Sequence, residues 1–268
     1  MIFNKRKEKE ETADYYHIYD SDPRKTYLLK KRQKRRKKRI ILLSLFLVLC
    51  LITSFFISDL SKVKTIKIKG NSVISDYLII QRSQIKTLKT NYLFLNTKSV
   101  KKELETMGLV KKASVKKDLI GNVLITVEEA EIIAVCQLKK QTYIIDELGN
   151  VVKIGTNYKV KNTNGLPKLF NFDKLSVVKA FAKAYIKVPT IIKNAVSDVI
   201  FNPLRAYPNR VRLIMDNNKE IHINIEDMEQ RLKHFDYAAY LTEYKDDCIF
   251  SFEGGNIYIK KAKTNKHR

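Results

Sequence analysis

The residues of this chain whose types could do chemistry are His222 and His234, the carboxylate clusters Glu128-Glu129-Glu131 and Asp246-Asp247, and the glycine pair Gly254-Gly255. A zinc site needs three or four close ligands, and a general base needs a partner that tunes and orients it. Neither histidine has a cysteine or a second histidine at ligand spacing, and His17 and His267 lie in the charged ends. Neighbouring strand residues point to opposite faces, so the carboxylate clusters read as solvated strand ends rather than an acid–base pair. Gly254-Gly255 lacks the long phosphate-cradling pattern and reads as a hairpin turn. No GxSxG, Walker or Cys–His nucleophile signature occurs. The expectation is no catalytic residue, no metal site and no cofactor.

What remains is surface for binding. Ile249, Phe250, Phe252, Ile257, Tyr258 and Ile259 flank the glycine turn in two short strand-like runs near the end of the chain. A strand at a sheet edge leaves N–H and C=O groups unpaired, which another chain can extend by β-augmentation. Because strand faces alternate, about half of these six must fill the domain's own core. Of the three cysteines, Cys50 sits in an apolar run, while Cys136 and Cys248 stand in apolar strand contexts and read as buried free thiols.

The elements that position these residues follow from periodicity. Ile66 and Ile68 alternate with lysines as in a half-buried strand, closed by Gly70-Asn71. Ser75 is placed to cap a short helix carrying Tyr77, Leu78 and Ile80. Val100, Leu104 and Met107 mark a second helix that Gly108 ends. Ala113 and Val115, the Gly121-Asn122 turn, then Val123, Ile125 and Val127 spell a hairpin. Further strands are predicted at residues 132–138 and at 142–154 around the turn Glu147–Asn150. Gly165–Phe170 is predicted to be a loop and residues 173–187 a helix broken by Pro189. Strands follow at Val196–Phe201, Val211–Met215 and Glu220–Ile223. Asn224 is placed to cap a helix with the apolar stripe Met228, Leu232, Phe235 and Ala239. The fold class is α+β.

Charge and hydropathy place the chain. The formal net charge is +24, and residues 1–39 hold 15 Lys/Arg against 6 Asp/Glu. Nine of the ten residues Lys30–Arg39 are basic and abut Ile40–Ile57, a run with no charge. As a helix that run is about 27 Å long, close to the hydrocarbon thickness of a bilayer. It lacks the polar face of a core helix, and the FFISDLSK that follows lacks the small-residue site of a cleaved signal. An uncleaved span is predicted. The block Lys34, Arg35, Arg36, Lys37, Lys38 and Arg39 keeps its side cytoplasmic and meets anionic headgroups, so residues 58–268 are predicted outside and away from nucleic acid. Residues 1–39, with the tyrosine-bearing Asp14–Asp20, read as a disordered tail. The remaining net charge of +15 (24 minus 9) motivates an alternative, the binding of anionic wall polymers. A membrane-anchored wall enzyme is a further rival, without a catalytic constellation to support it.

In order and spacing, IKIKGN (Ile66–Asn71), NYLFLN (Asn91–Asn96), LVKKASVKKDLIGNVLITVEE (Leu109–Glu129), YIIDELGNVV (Tyr143–Val152), GLPKL (Gly165–Leu169) and IFSFEGGNIYIK (Ile249–Lys260) resemble the DivIB/FtsQ family of bacterial division proteins. The chain departs from that pattern at Gly108-Leu109-Val110, where the family often has Pro-aromatic-Val. It departs again at Leu119–Asn122, where an aromatic-Pro turn is frequent, and at Glu128-Glu129, where Glu-Arg is. The resemblance implies a cytoplasmic tail (1–39), a transmembrane helix (40–58), a POTRA domain of order β-α-α-β-β (59–136), a β domain with two helices (137–262) and a basic tail (263–268). It implies a non-catalytic scaffold at the septum that binds FtsL-like and DivIC/FtsB-like bitopic partners and helps organise septal wall synthesis. It also favours an edge role for the last strand pair.

Overall fold

The computed structural model describes residues 23–160, 163–245 and 247–261. The Asp14–Asp20 patch, Asp246 and the tail 263–268 lie outside the described residues. The chain divides into two units, Met1–Ser61 and Lys62–Arg268.

Among the described residues, the first unit is one long helix, α1 (Pro23–Ile57), followed by a 3-10 turn at Asp59–Ser61. Its apolar part is long and apolar enough to cross a membrane, with a mean hydropathy of 3.0 over an 18-residue window. Two hydroxyls in that part bond within the helix, Ser44 Oγ to the Ile41 carbonyl at 2.8 Å and Thr53 Oγ1 to the Cys50 carbonyl at 3.0 Å. The helix also takes in the basic block, which corrects the expectation of a disordered tail for residues 23–39. Lys, Arg, Leu and Gln are strong helix formers, and elongating an existing helix avoids the nucleation cost. Pro23 at the first helical position suits its fixed φ.

The second unit begins with β1 (Thr65–Lys69), α2 (Asp76–Ser83), α3 (Thr97–Glu105), β2 (Val110–Lys117) and β3 (Asn122–Glu129). The sheet order is β1-β3-β2, with β1 parallel and β2 antiparallel to β3. Ser75 caps α2 through Leu78 N–H, and Asn96 caps α3 through the N–H groups of Lys98 and Ser99. Ile79, Leu104, Val123, Ile125 and Val127 lead the core between helices and sheet. Gly70 has φ +84°, and a Cβ there would lie 2.1 Å from the Val127 carbonyl oxygen, so the turn after β1 requires glycine. Glu129 is not a solvated strand end. Its carboxylate accepts from the N–H groups of Ser72, Val73 and Ile74 at 2.7 to 3.1 Å, clasping that turn.

A nine-stranded sheet follows, built from β4 (Ile132–Leu138), β5 (Gln141–Asp146), β6 (Val151–Lys153), β7 (Lys168–Phe170), β8 (Val196–Phe201), β9 (Arg210–Met215), β10 (Glu220–Asn224), β11 (Cys248–Ser251) and β12 (Tyr258–Lys261). Its order is β12-β11-β10-β9-β8-β7-β4-β5-β6. Four helices accompany it among the described residues, α4 (Leu175–Tyr185), α5 (Thr190–Ala195), α6 (Met228–Lys233) and α7 (Tyr237–Glu243). The α+β class holds, but two predicted helices became four. Pro189 both ends the run containing α4 and opens α5, and the last helix breaks at His234–Asp236, where Asp236 caps α7 through Ala239 N–H. Asn224 makes no side-chain cap bond; its amide donates to Glu226 instead. Lys168–Phe170 is a strand between β4 and β8 rather than a loop. Three residues are too few for alternation to show in the sequence.

β5 belongs to the nine-stranded sheet but serves both cores. Ile144 packs into the core under the first sheet and Ile145 into the core under the second, as alternation requires. The junction centres on Asp146, which is fully buried. Its carboxylate accepts from the N–H groups of Leu109 (3.0 Å), Leu148 (3.0 Å) and Asn150 (2.8 Å) and from the Asn150 amide (2.9 Å). Leu109, not Gly108, carries the left-handed backbone after α3, at φ 69°. Gly108 serves a close approach instead, since a Cβ there would meet Val152 at 2.2 Å. A non-glycine residue in that region is strained, and the Asp146 bond holds it there. Replacing Asp146 by Ala is expected to destabilise the second unit by about 3 kcal/mol or more, and Asp146→Asn by less, because a buried set of donors loses its acceptor. Urea denaturation of the full chain in detergent, followed by circular dichroism, checks the order.

Candidate functional site

The strand pair predicted to meet partners stands at the end of the nine-stranded sheet. β11 pairs in parallel with β10, and β12 pairs antiparallel with β11 as the sheet edge. The six residues divide by face. Phe250 and Phe252 are buried against Phe235, with ring centroids at 5.4 and 5.1 Å, so they support the edge rather than face a partner. Ile257 and Ile259 are partly buried on the same core. Ile249 is half-buried, beside Glu220 of β10, and Tyr258 is 52% exposed. Alternation predicted such a split and left open which residues fell on which side.

Two arginines that the sequence reading missed fix the turn between these strands. From the helical layer, Arg231 of α6 donates to the carbonyls of Phe252, Gly254 and Gly255 and lies 5.6 Å from the Phe252 ring centroid. From β9, Arg210 pairs with Glu253 and donates to Asn202 Oδ1 at 2.8 Å. Gly254, at φ +94°, makes the bend.

Arg210 also starts a chain of polar contacts across the sheet face beside the edge. Its Nη2 is 2.8 Å from His222 Nδ1, and His222 Nε2 is 2.7 Å from Glu220 Oε2. Arginine can only donate, so Nδ1 accepts and the proton sits on Nε2, which donates to Glu220. Arg212 closes the chain with two bonds to Glu220, at 3.0 and 2.8 Å. The Glu220 carboxyl is held down to about 2, first by the His222 hydrogen bond and then by Arg212, against the opposing effect of burial. His222 is therefore an internal link of the sheet face, whereas His234 is exposed. The signal was present in the alternation of Arg210-Val-Arg212 and Glu220-Ile-His222, which puts four polar residues on one face.

Cys136 and Cys248 are buried and form no disulfide, and burial pushes the Cys136 thiol up to about 11. Among the described residues no group of three His, Cys, Asp or Glu side chains is placed to hold a metal ion. The basic residues Lys34 to Arg39 lie in α1, in exposed positions on the N-terminal side of its apolar part.

A three-stranded β-α-α-β-β module followed by a strand-rich module with an open edge has the architecture of a POTRA protein, and the apolar helix before it is long enough to span a bilayer. Family comparison gives the same division. Residues 61–130 match the POTRA domain, FtsQ-type, and residues 134–244 match the C-terminal domain of the cell division protein FtsQ/DivIB. The chain belongs to the DivIB/FtsQ family of cell division proteins, a non-enzymatic scaffold family. It is 26% identical over 222 residues to the cell division protein DivIB of Bacillus subtilis, covering 83% of each chain. To the DivIB of Geobacillus kaustophilus it is 24% identical over 225 residues, covering 84% of this chain and 85% of the relative. The match to the Enterococcus faecalis DivIB, 25% identical, spans 70% of this chain and half of the relative. The extracytoplasmic domain of DivIB from Geobacillus stearothermophilus aligns with a TM-score of 0.35 at 19% identity, over 44% of this chain and 96% of that domain. β11 and β12 lie beyond the residues matched by the C-terminal family model.

The Glu220 network carries a pH signature. A carboxyl depressed on folding contributes stability that is fully present above its ordinary value near 4.5 and is lost as pH falls through about 2. Partial solvent screening reduces the effect to roughly 1–2 kcal/mol. Acid titration of unfolding should show that loss in the parent chain and a flatter profile in the Glu220→Gln variant.

Proposed function

We propose that this chain is a non-catalytic, single-pass scaffold of the bacterial division complex, with β12 as the edge on which partner chains add a strand. Residues 1–39 lie in the cytoplasm and 40–58 cross the membrane. Residues 59–136 and 137–262 form the two extracytoplasmic domains at the septum. The observation that carries the reading is the β12 edge itself. It ends a nine-stranded sheet, exposes Tyr258, and is held in place by Arg231 and Arg210. Main-chain pairing supplies affinity in such an interface, and the alternating side chains of β12 supply selectivity. The partners are FtsL-like and DivIC/FtsB-like bitopic proteins, held near the edge by their own spans, and the assembly organises septal wall synthesis.

Co-purification from membranes in mild detergent tests this directly. The Tyr258→Pro variant is expected to lose the FtsL-like and DivIC/FtsB-like pair, while Tyr258→Ala retains part of it because the backbone remains able to pair. Equal recovery by the parent and the proline variant, with unchanged thermal melting, removes β12 as the site.

Orientation is tested separately. Neutralising Lys34 through Arg39 to alanine is expected to invert a measurable fraction of chains, read as C-terminal domains protected from added protease in intact spheroplasts. Full accessibility in that variant overturns the role given to the block.

A further inference from the structure

Outside α1, several large apolar side chains with exposed surface gather at one end of the three-stranded module. Leu119 and Ile120, at the tip of the β2–β3 hairpin, are 85% and 63% exposed, and Phe94, Leu88 and Leu93 are 74%, 58% and 39% exposed. Hydrogen bonds knit these segments together. Tyr92 Oη donates to the Leu119 carbonyl at 2.7 Å, and Lys117 Nζ donates to the carbonyls of Tyr92, Leu93 and Leu95 at 2.7 to 2.9 Å. Leu88 N–H donates to the Val63 carbonyl and Lys64 N–H to the Gly121 carbonyl, both at 2.8 Å. The tip is rigid. Asp118 accepts from the N–H groups of Asn122 and Ile120, and those bonds, Asn122 foremost, hold its carboxyl below the usual range.

Lys64, Lys86, Lys89 and Lys116 stand exposed around this tip, and among the described residues no ion pair engages their ammonium groups. Lysines elsewhere in the unit do find carboxylates, as Lys111 does with Glu147 and Lys187 with Glu229. Asp118 is an opposing charge at this pole, but its lone pairs are occupied by backbone and Asn122 donors. An apolar tip ringed by ammonium groups suits the boundary between headgroups and acyl chains, where apolar atoms leave water and cations meet phosphates. The sequence supplies the tether. Ser58–Ser61 are the four residues between α1 and Lys62, at most about 14 Å of extended chain, and Lys62 bridges to Asn91 within this same pole.

We propose that this pole docks on the bilayer surface. Leu119, Ile120, Leu93 and Phe94 enter the acyl boundary, and Lys64, Lys86, Lys89 and Lys116 bind the phosphates of anionic phospholipids. The proposal rests on the membrane reading of α1, so the experiment reports on both. The chain contains no tryptophan, which makes each introduced indole a unique probe. Full-length Ile120→Trp, Cys50→Trp and Tyr258→Trp variants are reconstituted in phosphatidylcholine vesicles, with or without phosphatidylglycerol, carrying brominated acyl chains. With phosphatidylglycerol, the Ile120→Trp variant is expected to lose about half its fluorescence, like Cys50→Trp, while Tyr258→Trp keeps its own. Adding Lys64→Glu and Lys116→Glu to Ile120→Trp should remove most of that quenching. Quenching of Cys50→Trp without quenching of Ile120→Trp overturns the docking and leaves the span intact. Equal quenching of Ile120→Trp in the two lipids overturns the headgroup assignment. A blue shift that appears only when a second protein is co-reconstituted assigns the pole to a protein partner and overturns the proposal. An unquenched Cys50→Trp defeats the span and the docking together.

Discussion

The carboxylate of Asp146 is the constraint on which the second unit depends. It has no solvent exposure, yet it accepts four hydrogen bonds, three from its own turn and one from Leu109 of the preceding module. A buried charge is tolerable only when hydrogen-bonded in this way, so the turn and the strained Leu109 backbone form together or not at all. The same few residues place β5 where it serves two cores, through Ile144 on one face and Ile145 on the other. The chain between the two modules is thus packed into both rather than left as a linker.

From that junction the sheet runs through seven more strands to β12. The far edge is held from both sides, because Arg231 and Arg210 approach the Glu253–Gly255 turn from the helical layer and from the opposite sheet face. An edge held in this fashion loses little freedom when another strand adds to it, which favours binding through backbone pairing over adaptable side chains. Phe250 and Phe252 contribute from below, by anchoring β11 and the turn to the aromatic cluster around Phe235.

The elements legible from sequence were those whose signal is local. Ser75 as a cap, the Gly121-Asn122 hairpin and the alternation of Val196–Phe201 each express backbone chemistry within a few residues, and each stands where it was expected. Lys168–Phe170 was not legible, because its strand identity comes from β4 and β8 on either side, some 30 residues away in each direction. The functions of Asp146, Glu129 and Arg231 were hidden for the same reason, since their partners are backbone groups that no residue-type pattern records. At the candidate site, the location of the strand pair was visible in Ile249–Ile259, whereas the burial of Phe250 and the exposure of Tyr258 depended on which face the helices cover.

The parallel pairing of β1 with β3 also dictates an order of events. Thr65 aligns with Asn122, 57 residues further along the chain. β1 is made early and stays unmatched until the hairpin that receives it has been synthesised, a long-range closure that slows folding. In the interval its alternating lysines keep the waiting strand soluble and discourage pairing with the wrong neighbour. Those lysines serve the nascent chain before they serve the finished one.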